Sequence, residues 1–177
     1  MMLKNILLYV MLFLSAKVFG EEYLIKSYYR KCAAYQAVSL FNKHGDIFVN
    51  VSTEDEMEVT VKQSSRLWDG HNAFKNIEVV FWQDDSGNWI INCDNPQENN
   101  LRRVDLYVRM PQGRFLKSLK TLNGNIVLEN VNLSGDFTIT RGNFSGYNIN
   151  GSLEGRIVEG MFALNSGRID VVCQQLR

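Results

Sequence analysis

Few residues in this 177-residue chain could do chemistry, and most of them fall in one stretch. Residues 64–76 form the longest polar interruption and contain Trp68-Asp69-Gly70-His71-Asn72 and Phe74. Exposed aromatics stack on sugar rings or anchor protein partners, so Trp68, His71 and Phe74 are the candidate binding residues. Trp82 and Trp89 follow on the next elements. The competing reading is that these aromatics plug one end of the core. Asp69 and His71 could ligate a metal together, but the only other histidine is His44 and the ligand set is incomplete. The acidic run Glu54-Asp55-Glu56, with Glu58, lacks the glycine-spaced loop of a calcium site and reads as a solvated turn. The chain shows no Gly-x-Ser-x-Gly elbow, His-Glu-x-x-His pattern, Cys-x-x-Cys pair or phosphate-binding glycine loop. No catalytic residue and no cofactor is therefore assigned. Asp136, Glu154 and Asp170 are the acids a glycan-acting enzyme would use, and they occupy turn or solvent-facing positions.

Three cysteines, Cys32, Cys93 and Cys173, follow the N-terminal segment. Cys93 ends the alternation Trp89-Ile91-Cys93 and Cys173 ends Ile169-Val171-Cys173, so both point inward by parity. Of the three single pairings, Cys32 with Cys93 is favoured because both lie outside the glycine-rich region; three unpaired thiols is the equal alternative.

Residues 1–20 read as a signal peptide, with a short positive start, an apolar run from Ile6 to Ala16, and Val18-Phe19-Gly20 at the cut. An uncleaved anchor is the alternative. The expectation is an exported protein, periplasmic or at the cell surface. Without Lys4 and Lys17 the remainder carries 17 basic and 19 acidic side chains, scattered and near neutrality. That balance leaves no electrostatic footprint for nucleic acid.

The elements that must position any site are strands. Residues 21–36 are an approach segment that fits either strand or short helix. Residues 37–177 form a single domain. Ile47, Val49 and Val51 alternate on one face, as do Met57, Val59 and Val61, and Val104, Leu106, Val108 and Met110. Residues 77–82 and 89–93, around Asp84-Asp85-Ser86-Gly87, predict a β-hairpin. No capped amphipathic helix is visible. The fold class is all-β.

Ten of the twelve glycines after residue 20 begin a Gly-x-apolar triplet, against about five expected at 45% apolar content. Examples are Gly124-Asn125-Ile126, Gly142-Asn143-Phe144 and Gly167-Arg168-Ile169. Glycine lets the chain corner, the middle residue faces solvent, and the apolar residue starts an inward row. Elements this short bury a core only by stacking as rungs of a coil. Their glycine spacing looks irregular, which predicts a degenerate coil.

These features resemble the adhesin-like domain family of unknown function found in exported and envelope-associated bacterial proteins. The resemblance covers roughly residues 35–172. It rests on the strand entering Gly45-Asp46-Ile47, the phrase from Val104 to Pro111, and the glycine rungs from Leu122 to Val171. It implies a right-handed β-solenoid or β-roll at the cell envelope, with no catalytic residues to carry over. The functional expectation is a non-enzymatic structural or binding module whose partner is an envelope protein or a glycan. Self-association through the last rung, Ile169 to Val172, is a related expectation. The alternatives are a glycan-acting enzyme and an envelope-stress sensor with a protein partner.

Overall fold

The computed structural model describes residues 22–33, 35–65, 77–94 and 102–176. The strands are β1 (Glu22–Lys31), β2 (Ala37–His44), β3 (Ile47–Ser52), β4 (Glu56–Ser65), β5 (Glu78–Gln83) and β6 (Trp89–Asp94). They continue as β7 (Arg102–Pro111), β8 (Phe115–Asn123), β9 (Ile126–Glu129), β10 (Asn132–Arg141), β11 (Phe144–Glu159) and β12 (Phe162–Gln175). All twelve belong to one sheet, in the order β1-β4-β7-β3-β9-β11-β10-β8-β2-β6-β5, with β12 on β11. The fold is all-β, a single curled sheet. The approach segment is a strand, β1, antiparallel to β4.

The curl is produced by β11. Its first four residues pair with β9, and its residues from Asn150 onward pair with β10, both parallel. The strand order therefore runs along one arm to β11 and back along a second. The inward rows of both arms meet in one core, which includes Leu40, Ile47, Val59, Leu106, Leu119, Ile126, Phe137, Phe144 and Ile157. The sequence alternations fix which side faces in: a slip of one residue would expose the whole row. The two ends of the sheet also meet. Tyr28 of β1 packs on Phe81 of β5 with ring centroids 4.8 Å apart, Arg30 lies over the same ring, and the Trp89 indole N–H donates to the Lys31 carbonyl.

The glycine spacing has a hidden period. Ile126 pairs with Phe144 and Phe144 with Phe162, so successive layers are displaced by 18 residues. Only Gly124, Gly142 and Gly160 mark it among the glycines, and the others stand opposite different residue types, which makes the spacing look irregular. Gly124, Gly142 and Gly160 form one corner column above Gly45. Asn130, Asn148 and Ser166 form the opposite corner, each in the left-handed region at φ 55°, 53° and 66°. Asn148 donates from its side-chain amide to Asn130 Oδ1 at 2.8 Å within that column.

Packing explains why the first column is glycine. A Cβ on Gly124 would collide with the Gly45 carbonyl, one on Gly142 with the Gly124 carbonyl, and one on Gly160 with the Gly142 carbonyl. The obstacle in each case is backbone from the adjacent layer, which cannot move without breaking the stack. The middle residue of the triplet does more than face solvent. Asn125 accepts from the Asn143 backbone N–H at 2.9 Å, and Asn143 accepts from that of Met161 at 2.9 Å. The Asn125 N–H itself donates to Asp46 Oδ1 at 2.6 Å, and the Asp46 N–H to Asp105 Oδ1 at 2.9 Å. Arg103 bridges the Asp46 and Asp105 carboxylates at the foot of this ladder. Each layer thus caps a corner amide of the next, a hydrogen bond worth about 1 kcal/mol.

Inside the corner the apolar residues stack in the same register. The Phe144 and Phe162 rings lie 5.1 Å apart, and Phe137 and Phe144 lie 4.7 Å apart. Gly142→Ala should therefore cost roughly 3 kcal/mol or more through backbone collision. Gly113→Ala, at φ 80° with open space around it, should cost only about 1–2 kcal/mol from conformation alone. Urea midpoints of the two variants check this; equal losses would contradict the close-approach account.

Candidate functional surface

Trp68, His71 and Phe74 lie outside the described residues. Of the aromatics grouped with them, Trp89 is half-buried against the core, and Trp82 faces outward on β5 at 41% exposure. His44 is half-buried at a corner, where its Nδ1 shares a hydrogen bond of 2.8 Å with the Asn123 amide. Among the described residues no cluster of histidine, cysteine and carboxylate groups is placed to hold a metal ion.

Cys32, Cys93 and Cys173 are free thiols; the first two are buried and Cys173 is half-buried, facing inward as parity predicts. Burial, with Asp94 adding, pushes the Cys93 thiol up to about 12, and burial raises the other two as well. All three stay protonated and unreactive at neutral pH.

The acids considered for catalysis lie on the outer side of the second arm. Asp136 pairs in register with Glu154, and Asp170 is opposite Ser152. These strands edge a shallow, open depression that also includes Ser134 and Val172. Asp136 is already occupied: it accepts from Ser118 Oγ at 3.1 Å and lies 3.9 Å from the Lys120 ammonium.

The first arm is different. Its outward residues form two rows that run across β4, β7, β3, β9 and β11. One row is Thr60, Tyr107, Phe48, Val127 and Ser145, each opposite the next by strand register. The other, two residues along each strand, is Glu58, Arg109, Asn50, Glu129 and Tyr147. Two-residue steps set the rows roughly 6.7 Å apart. Side chains alternate strictly because Ile47, Val49, Leu106 and Val108 point into the core between them.

The apolar row carries a fixed aromatic pair. Phe48 and Tyr107 stack with centroids 4.7 Å apart and planes within 6°. Ring separation matches strand separation, so both rings stand on edge above the sheet. Beyond Phe48 the row shrinks to Val127 and Ser145, and one face of the Phe48 ring is left as a wall. Burial, with the Asp105 and Asp46 carboxylates adding, raises the Tyr107 phenol above its ordinary pKa, so it remains a neutral hydroxyl at physiological pH. In the polar row, Arg109 Nη1 donates to Glu58 Oε2 at 3.2 Å and Tyr29 Oη donates to Glu58 Oε1 at 3.3 Å. Arg109 keeps just over half of its side chain exposed, 54%, so its other donors face solvent. Between the rows lies a recess of about 300 Å³.

The sequence reading missed this surface. Its signal was present, since Phe48 and Tyr107 are aromatics at the outward parity of two alternating strands. What the sequence lacked was the pairing of β3 with β7, which puts the two rings side by side.

The chain matches no family model. A search of curated proteins also finds no match. Among solved structures it is similar to a "putative cell adhesion protein" from Clostridium sporogenes, at 11% identity and a TM-score of 0.46, over 88% of this chain and 100% of that one. It is also similar to a "putative adhesin" from Bacteroides fragilis, at 8% identity and a TM-score of 0.31, over 88% and 97% of the two chains. A third is a "putative lipid binding protein" from Parabacteroides distasonis, at 16% identity and a TM-score of 0.34, over 85% and 67%.

Proposed function

We propose that this chain is a non-enzymatic, exported binding module of the bacterial envelope, periplasmic or at the cell surface. In this reading its parallel layers are the coils of a short right-handed β-solenoid. The outward face of β7, β3 and β9 is its recognition surface. One observation carries the proposal: the stacked Phe48–Tyr107 pair, with Phe48 half-buried and Tyr107 at the surface, lies on the outer face beside a pre-positioned Arg109–Glu58 pair. The stacked pair also steadies β3 against β7 by about 0.2–1 kcal/mol, and aromatics together with arginine are the groups that supply binding energy at interfaces. The partner is an envelope protein or glycan.

Sedimentation of the purified protein with isolated bacterial envelope fractions tests this reading. The double variant Phe48→Ala/Arg109→Ala should lose binding at least tenfold while still unfolding cooperatively, with a melting temperature lowered by only a few degrees. The triple variant Trp68→Ala/His71→Ala/Phe74→Ala should retain it. Unimpaired binding by the double variant would overturn the assignment of this face.

A second reading rests on β12. Its partner strand β11 buries Phe144, Ile149, Leu153 and Ile157 almost completely, whereas Phe162, Leu164, Ile169 and Val171 of β12 are only partly buried. Among the described residues β12 pairs as a strand with β11 alone. An open edge continuous with a core invites another strand, and we propose that a second copy of this chain supplies it. Light scattering should show mass rising with concentration for the wild type and not for Ile169→Lys; a monomer at every concentration would refute it.

A further inference from the structure

We propose that the recess beside Phe48 binds one neutral pyranose ring of a glycan. This inference rests on the reading of the β7–β3–β9 face as the recognition surface and names the chemical class it takes. A pyranose is amphiphilic in a particular way: its C–H faces are apolar and its hydroxyls project around the rim. The recess has the matching division. Its apolar wall is the half-buried Phe48 ring, with the stacked Tyr107 ring and Val127 beside it. Across the gap stand Arg109, Asn50 and Glu129, which together offer donors, an amide, and a carboxylate acceptor.

Size and charge narrow the class. A volume of about 300 Å³ is at the lower end of ligand sites and suits one ring rather than a folded peptide segment or a lipid chain. The polar row holds two carboxylates, Glu58 and Glu129, against the single Arg109 guanidinium. Arg109 is also partly neutralised by Glu58. The row therefore has no net positive charge with which to select phosphate, sulfate or uronate groups. What it can select is hydroxyl geometry, because the Glu58 contacts to Arg109 and Tyr29 fix the donors before a ligand arrives. The row runs on past Thr60 to Ser27 of β1 and past Ser145 to Ala163 of β12, small side chains over which neighbouring sugars of a chain can extend. A single ring on one aromatic wall gives weak binding per site, and an extended glycan displayed in many copies compensates by avidity.

The test is a nuclear magnetic resonance titration of the purified protein with cellohexaose, chitohexaose and mannohexaose, each neutral, and with an anionic hyaluronan hexasaccharide. At least one neutral oligosaccharide should give saturable shifts at the Val127 methyls and the Phe48 and Tyr107 rings, with no stronger response to hyaluronan. Phe48→Leu keeps an apolar side chain but removes the flat wall, and should weaken that response about tenfold while the rest of the spectrum is preserved. Three results would each overturn the proposal: no response to any neutral sugar, a response confined to hyaluronan, or full binding by Phe48→Leu. If the sugars fail while envelope sedimentation remains sensitive to Phe48→Ala/Arg109→Ala, the recognition face stands and its ligand is a protein.

Discussion

The structure depends on a close approach of backbone to backbone at one corner. Gly45, Gly124, Gly142 and Gly160 stack so tightly that a single methyl group on one would occupy the space of the carbonyl beneath it. At the layer spacing that strand hydrogen bonding fixes, that contact lets the corner amides reach the Asp105–Asp46–Asn125–Asn143 ladder. It also sets the period. Once the corner repeats every 18 residues, the apolar residue two places after each glycine must fall on the one before it, as Ile126, Phe144 and Phe162 do. Corner, ladder and core are three consequences of one stagger.

The candidate site comes from strand pairing across the first arm rather than from the 18-residue step, since Phe48 meets Tyr107 across 59 positions and Val127 across 79. Paired strands in register, parallel or antiparallel, turn every outward position into a row, so a feature repeated on neighbouring strands becomes a continuous surface. On the first arm the result is an aromatic row beside a polar one. On the second arm it is a scatter of serine and carboxylate groups, with Asp136 tied to Ser118 and Lys120. The scaffold treats both arms alike. The difference lies in which side chains the outward positions carry, and that is where function is written on a repetitive fold.

Much of the architecture was legible in the sequence because two-residue alternation is a local signal. The strands through Val49, Val59 and Leu106, the hairpin of β5 and β6, and the inward steps after the glycines follow from parity and turn chemistry alone. Three features were not local. The 18-residue period is obscured because Gly135, Gly146, Gly151, Gly155 and Gly167 fall among the periodic Gly124, Gly142 and Gly160, and the opposite corner carries Asn130, Asn148 and Ser166 instead of glycine. Asn125 reads as a solvated turn residue, since its partners Asp46 and Asn143 are brought to it only by stacking. Phe48 and Tyr107 are 59 positions apart and β3 lies between β7 and β9 in the sheet, an order that chain sequence does not reveal. The aromatic residues that attract notice by their neighbours, Trp68, His71 and Phe74, lie outside the described residues.

The central claim is that an 18-residue step, and not glycine content as such, holds the layers together. Duplicating residues 142–159 in tandem adds one such step and leaves every column in register; omitting one residue from the duplicate shifts all that follows. By the additive behaviour of stacked repeats, the in-register duplicate should unfold cooperatively with a larger denaturant dependence than the parent. The duplicate lacking one residue should lose cooperativity and midpoint stability. Equal, cooperative unfolding of both duplicates would contradict the account.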